Sequence, residues 1–367
     1  AICDGIAMGH QGMRYSLISR EVISDCCEVM VAGHALDGWV GVTNCDKVTP
    51  GMLMAAGRMN LPAIMITGGA MEAGELDGET LDLQSVFEAL GSYSAGDVDE
   101  EYVRSVECAA CPGRGSCAGL FTANSMACLT EALGLSLVGC ATSLAVDSRK
   151  LELARETGRR IVDMVRKDIK PRDIAGVDSF RNAIAVDMAI GGSTNTALHI
   201  PAISKEFGCP VTLDTFDEIS RVVPHITSLR PAGPSTIRDL DDAGGIPAVL
   251  NRIRDHLADA PTVSGPSIRE IAVTAKVLDG ETIRDTENPY HKQGGIAVLK
   301  GNMAPAGSVV KQAAVDPKMM KFSGRARVFD SESDAKDAIV SGSIVPGDAV
   351  VIRYEGPKGA PGMPEML

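Results

Sequence analysis

The sequence predicts a two-part α/β fold: a larger α/β domain with a parallel sheet over residues 1–285, a linker at 286–295, and a smaller β-rich, barrel-like domain at 296–367. Three observations predict it. Two apolar runs, WVGVT at 39–43 and PAIMIT at 62–67, alternate with helix-like stretches and show no polar face, as strands of a parallel sheet covered on both sides do. The length of 367 residues, with 45% hydrophobic and 23% charged residues, suits two globular domains and excludes a disordered chain. From about residue 290 the texture changes to short β runs punctuated by glycine: GGIAVLKG, GSVVKQAAV, GRARVFD and GDAVVIRYEG.

The elements follow in order. Residues 12–35 carry apolar positions at helical spacing, Leu17, Ile18, Val22 and Val29 among them. The strand at 39–43 ends at Asn44-Cys45-Asp46-Lys47, and GMLMAAGRM (51–59) reads as the next helix. The strand at 62–67 is closed by Gly68-Gly69, and further helices are expected at 82–92, 119–134, 149–167, 193–206 and 332–341. Aromatics are scarce at 4%, so the core must rest on aliphatic residues and the 16 methionines.

A net charge of −13 without a block of Lys or Arg argues against nucleic acid or an anionic membrane surface as the main partner. No apolar run approaches the ~18–20 residues of a spanning helix. The ten cysteines, in an acidic chain without a visible export signal, read as reduced thiols, some buried and some metal ligands. Cys26, Cys27, Cys128 and Cys140 lie in helical apolar contexts and are expected to be small core hydrophobes.

Four stretches carry possible chemistry. Ligands of open α/β sheets gather beyond the carboxyl ends of strands, which is where Cys45, Asp46 and Lys47 fall. A surface Asp–Lys pair beside a buried thiol explains the same tripeptide. In CAACPGRGSCAG (108–119), Cys108 and Cys111 have the C-x2-C spacing of zinc and iron–sulfur sites, and glycines surround Cys117. No second C-x2-C follows, so a zinc ribbon is poorly supported. Asp4 in CDGIAMGHQG reads as a turn residue, His10 as a structural hydrogen-bonder, and the tail EGPKGAPGMPEML (355–367) as a loop bearing Glu355 and Glu365.

Taken together, AICDGIAMGHQGMRYSLISRE, NCDKVTPGMLMAAGR, CPGRGSCAGLFTANSMACLTEALGL and EGPKGAPGMPEML resemble the family of dihydroxy-acid and phosphogluconate dehydratases. The stretches MAIGGSTNTALHIPAI (188–203) and NPYHKQGGIAVLKGNMAPAGSVVK (288–311) extend the resemblance over essentially the whole chain. It implies that Cys45 and Cys117 ligate an iron–sulfur cluster, [2Fe–2S] or [4Fe–4S]. It implies that Asp4, Asp46, a carbamate on Lys47, and Glu365 bind Mg2+, with Glu355 at most a neighbour of that site. Cys108 and Cys111 match no cluster position and become structural. Ser193 is assigned at most to a substrate loop.

The implied reaction removes water from a branched 2,3-dihydroxy acid to give a 2-keto acid, as in valine and isoleucine biosynthesis. The wording of GHQGMRYSLISRE and NCDKVTPGMLMAAGR favours that substrate over a sugar acid or phosphogluconate. A non-catalytic iron–sulfur or zinc-binding protein is the alternative from another class. The resemblance also implies a homodimer, in the cytoplasm or an organelle. By the family pattern a third cluster cysteine lies upstream of Asp4 and a base serine downstream of Glu365, so these residues alone are expected to be the inactive middle of a longer enzyme.

Overall fold

The computed structural model describes residues 2–356. It is a mixed helix-and-sheet protein in which a large helical body surrounds a small parallel sheet. The chain enters through α1 (Asp4–Ala7) and a 3-10 turn at Gln11–Tyr15, then runs along α2 (Ser16–Gly33) into β1 (Trp39–Thr43). Next come α3 (Val48–Met59) and β2 (Ala63–Thr67), which pairs with β1 in parallel from Trp39–Ala63 to Thr43–Thr67. All five residues of β2 are buried, in keeping with its unbroken apolar sequence.

The hairpin β3 (Gly74–Leu76) and β4 (Glu79–Leu81) leads to α4 (Leu83–Ala95) and α5 (Glu100–Ala110). These two helices form a small satellite core around Leu81, Ala89 and Val106. Asp82 caps α4 through the Ser85 N–H and also receives Arg230 Nε at 2.9 Å, with no solvent reaching its side chain. Asp82→Ala should therefore remove both a cap and a buried ion pair, lowering stability by ~3 kcal/mol in denaturant titration.

The main body is built from α6 (Thr122–Ala132), α7 (Ser148–Arg166), α8 (Pro171–Ile174), α9 (Val177–Ile190), α10 (Thr196–Glu206) and α11 (Leu213–Ser220). Then come α12 (Ile237–Asp242), α13 (Gly245–Arg252) and α14 (Ile268–Thr274). Helices α6 and α9 bury every residue except Arg181 and the first two residues of α9, so they form the centre of the molecule.

Residues 294–295 of the expected linker are tied to the body. Gly294 N–H donates to Ser220 O at 2.8 Å and Gly295 N–H to Met188 O at 2.8 Å. His225 and His291 share a hydrogen bond between their Nδ1 atoms at 2.9 Å. Burial, then the charges of His291 and Lys311, pull His225 from 6.5 to about 3. An unfolded histidine takes a proton below 6.5 while the folded one stays neutral down to about 3. This group's contribution to stability is therefore present above pH 6.5 and is lost as pH falls through that window, by ~1.4 kcal/mol per unit. Denaturant titrations from pH 7 to pH 4 should show this slope, and His225→Gln should flatten it.

The expected barrel is not present among the described residues. β5 (Ala297–Leu299) pairs antiparallel with β6 (Ser308–Val310), while β7 (Arg325–Phe329) and β8 (Asp348–Ile352) form a separate parallel pair joined through α15 (Glu332–Val340). A barrel needs one sheet to close on itself, and two separate two-stranded pieces cannot.

The expectation for α2 needs a similar correction. The helix forms, but Ile18, Val22 and Val29 are exposed, and the residues it buries are Ser16, Ser24 and Val31. Cys26 is exposed and Cys27 half-buried because they share this outward-facing helix, whereas Cys128 and Cys140 lie in the core as expected.

Candidate functional site

The parallel pairing of β1 and β2 sets the site. The chain leaves β1 at Thr43 and turns at Cys45, whose φ of +70° is left-handed, a conformation that costs an L-residue about 1–2 kcal/mol. This turn delivers Cys45, Asp46 and Lys47 at the carboxyl end of the strand, just before α3 starts at Val48.

The first residue of α1 comes to the same place. Asp4 and Lys47 are each only 4% exposed, and Lys47 Nζ lies 2.5 Å from Asp4 Oδ2 and 3.7 Å from Asp46 Oδ2. Ser16 Oγ donates to Asp4 Oδ1 at 2.6 Å and fixes the carboxylate from the other side. Two carboxylates thus share one ammonium in a place with little water, where positive charge is strongly favoured.

Asp4, Asp46 and Cys117 line a cavity of about 270 Å3. Its opposite wall carries Thr122, Ser193 and Asn195, with Lys311 contributed from just after β6. Leu83, Leu120 and Phe121 form an apolar part of the lining. Clefts of 410 Å3 between α4 and α15 and of 470 Å3 beside Tyr290 are larger, but neither gathers carboxylates and thiols together.

The polar wall is organised internally. The Thr122 and Ser193 hydroxyls meet at 3.0 Å, and Asn195 Nδ2 donates to Thr122 Oγ1 at 2.8 Å. Ser125 Oγ accepts from Ser193 N–H at 3.0 Å, and Thr196 Oγ1 donates to the buried Asp187 at 2.5 Å. Residues 191–195 are therefore held at the end of α9 as a defined loop.

The thiols lie within electrostatic reach of one another. Burial, with Asp46 and Cys3 adding to it, pushes Cys45 up to about 11 against backbone N–H groups that favour its thiolate. Burial pushes Cys117 higher still, followed by the charges of Asp46, Cys45, Cys111 and Cys3. Both thiols therefore favour the neutral form, and a metal bound there would have to displace their protons.

The donor chemistry fits both expected groups. Asp4 and Asp46 are hard oxygen donors already gathered around a positive charge, which suits Mg2+, and Cys45 and Cys117 are soft donors suited to iron. Two carboxylates alone fall short of a shell, and no cluster of three or more His, Cys, Asp or Glu side chains with metal-binding geometry occurs among the described residues. A carbamate on Lys47 would supply the missing oxygens between the two aspartates. Glu365 lies outside the described residues. Glu355 is engaged elsewhere: its carboxylate receives Arg14 Nη1 at 3.0 Å and the Glu332 N–H at 3.1 Å.

The structure thus brings Asp4, Asp46, Cys117 and Ser193 to one cavity, with Cys45 and Lys47 directly behind it. Sequence reasoning did not single out Thr122, Asn195 or Lys311. All three sit inside the motifs FTAN, GGSTN and AGSVVK, which the resemblance had already marked.

Comparison with known proteins gives the family. Residues 1–271 match the dihydroxy-acid/6-phosphogluconate dehydratase N-terminal model, and residues 281–367 match the C-terminal one. The dihydroxy-acid dehydratase of Endomicrobium trichonymphae is 57% identical over 368 residues. Dihydroxy-acid dehydratase 1 of Methanosarcina acetivorans is 56% identical over 371 residues, and the dihydroxy-acid dehydratase of Methanococcus aeolicus 56% over 368. Each comparison covers 100% of this chain and 67% of the relative. With its carboxylate–lysine cluster, thiols and hydroxyl wall around one cavity and both models matched in order, the chain belongs to the dihydroxy-acid/6-phosphogluconate dehydratase family.

Proposed function

We propose that this chain is the core of a hydro-lyase that converts 2,3-dihydroxy-3-methylbutanoate and its ethyl homologue to 2-keto acids for branched-chain amino-acid synthesis. The observation that carries the reading is the pairing of hard donors, Asp4 and Asp46 around Lys47, with the thiol of Cys117 at one cavity and Cys45 within its electrostatic reach. Identity of 55–57% to several dihydroxy-acid dehydratases supports the substrate.

Asp4, Asp46 and the carbamylated Lys47 would hold Mg2+, together with Glu365, while Cys45 and Cys117 would hold an iron–sulfur cluster. When bound, these groups supply two Lewis acids, one stabilising negative charge at C2 and the other polarising the C3 hydroxyl. The reaction itself is balanced without an oxidant: a proton leaves C2, hydroxide leaves C3, and the resulting enol becomes the ketone.

The chain's own residues prepare for this. Ser16 orients Asp4, and the Thr122–Ser193–Asn195 wall presents hydroxyl and amide groups to the substrate's hydroxyls. Leu83, Leu120 and Phe121 give the alkyl substituents an apolar seat and keep water from the reacting carbons.

The domain division at 286–295 is retained in this reading. A homodimer is its expected assembly, supported by the exposed Ile18, Val22 and Val29 along α2. A cytoplasmic setting suits ten free cysteines.

The test is turnover by the protein containing this chain after reconstitution with iron, sulfide and Mg2+. Formation of 3-methyl-2-oxobutanoate from 2,3-dihydroxy-3-methylbutanoate is the expected result. Turnover of 6-phosphogluconate instead would move the protein to the other branch of the family. Bound zinc without iron, and no dehydration, would favour the non-catalytic reading.

A further inference from the structure

Lys311 is the one basic side chain on the wall of the 270 Å3 cavity among the described residues; the other charged residues there are Asp4 and Asp46. It comes from the second family-matched segment, whereas the rest of the lining comes from the first. Its backbone is anchored firmly. Gln312 Nε2 donates to Gly294 O at 2.5 Å, Ala313 N–H donates to Gly295 O at 3.1 Å, and Gly295 N–H bonds the end of α9 at Met188 O. A Cβ at Gly295 would meet Gly191 at 2.3 Å, so this clamp is already at closest approach.

Asp187, wholly buried on α9, lies within electrostatic reach of Lys311. Its Oδ2 is held by Thr196, whereas its Oδ1 receives no hydrogen bond among the described residues. The two charges act on each other. Burial draws Lys311 down to about 8 and Asp187 raises it again; burial draws Asp187 up to about 7, while Thr196 and then Lys311 oppose that rise. No direct hydrogen bond joins them among the described residues, so the ammonium's donors remain available to a ligand in the cavity.

We propose that Lys311 binds the substrate carboxylate, steadied by the buried charge of Asp187, and so makes the cavity select acids over uncharged polyols. An anion approaching Asp4 and Asp46 meets like charge, and Lys311 is the cation on the wall that offsets it. This rests on the reading of the substrate as a hydroxy acid. It adds to any metal contact a protein cation that the second segment supplies, so the cavity recognises its ligand only with both segments docked.

The test compares 2-hydroxy-3-methylbutanoate, which has no C3 hydroxyl to lose, with its primary amide as ligands of the holoenzyme, by calorimetry. Wild type should bind the acid more tightly than the amide, and Lys311→Met should reduce that preference by about tenfold, the loss of one charged hydrogen bond. Lys311→Gln is measured in the same way in case the methionine variant does not fold, and Lys311→Arg should keep most of the preference. An unchanged acid-to-amide ratio in a folded neutral variant overturns the proposal. A wild-type enzyme that dehydrates only sugar acids would refute the substrate reading instead, and the Lys311 comparison would then be run with a sugar acid and its amide.

Discussion

If Lys47 holds the metal as proposed, Lys47→Met should lower turnover by about a thousandfold or more, because several kcal/mol of transition-state stabilisation would depend on that metal. The loss has a separate signature in the metal-free protein. Lys47 is the ammonium between Asp4 and Asp46, and removing one member of a buried ion cluster destabilises by roughly 3–5 kcal/mol. Mg2+ should raise the melting temperature of the wild type, and this rise should disappear in Lys47→Met and in Lys47→Arg, since neither side chain forms the carbamate. A variant that retains turnover within tenfold and still responds to Mg2+ would remove Lys47 from the ligand set. A carbamate would matter because it would turn the charge on Lys47 itself from +1 to −1. With the ammonium in place the trio carries −1, whereas with a carbamate it carries −3 and must recruit a divalent cation.

Cys117→Ser should abolish the visible absorbance of the reconstituted protein and take activity to background, while the fold is kept. The fold should survive because serine nearly matches cysteine in size and the hydrogen bond from Asn124 Nδ2 to Cys117 O at 2.5 Å does not involve the side chain. Serine offers iron a harder, weaker donor. Cys128→Ala is the control. That thiol is fully buried in the core, and its loss should reduce stability by ~1 kcal/mol and leave the spectrum intact. An unchanged spectrum in Cys117→Ser would strike this thiol from the cluster site.

The parts of the molecule that were legible in the sequence are those whose signal is local. WVGVT and PAIMIT are continuously apolar, and both became paired parallel strands. The helices at 149–167 and 332–341 appear as Ser148–Arg166 and Glu332–Val340. What failed depended on partners far along the chain. The short β runs after residue 290 are real strands, but nothing in GRARVFD says that its partner is GDAVVIRYEG rather than the neighbouring hairpin, so separate pairs were read as a barrel. The apolar spacing of α2 fixed a helix without saying that Ile18, Val22 and Val29 face outward.

The site divides in the same way. Asp4, Asp46, Lys47, Cys45 and Cys117 were singled out because their motifs are distinctive, whereas Lys311, which follows the β run SVV, carried no local signal of its own. Only tertiary structure sets it on one cavity with Asp4 and within electrostatic reach of Asp187, on a buried helix that the sequence pattern did not reveal.

The left-handed turn at Cys45 has a consequence for how this protein can change. Glycine would relieve the steric strain of that backbone, and where this gain exceeds glycine's entropic cost the substitution would raise stability. Taking that route would discard the thiol. The residue is thus held against its own conformational preference, and if its thiol ligates iron as proposed, variation selected only for robustness would drift through this turn toward a sturdier but inert protein.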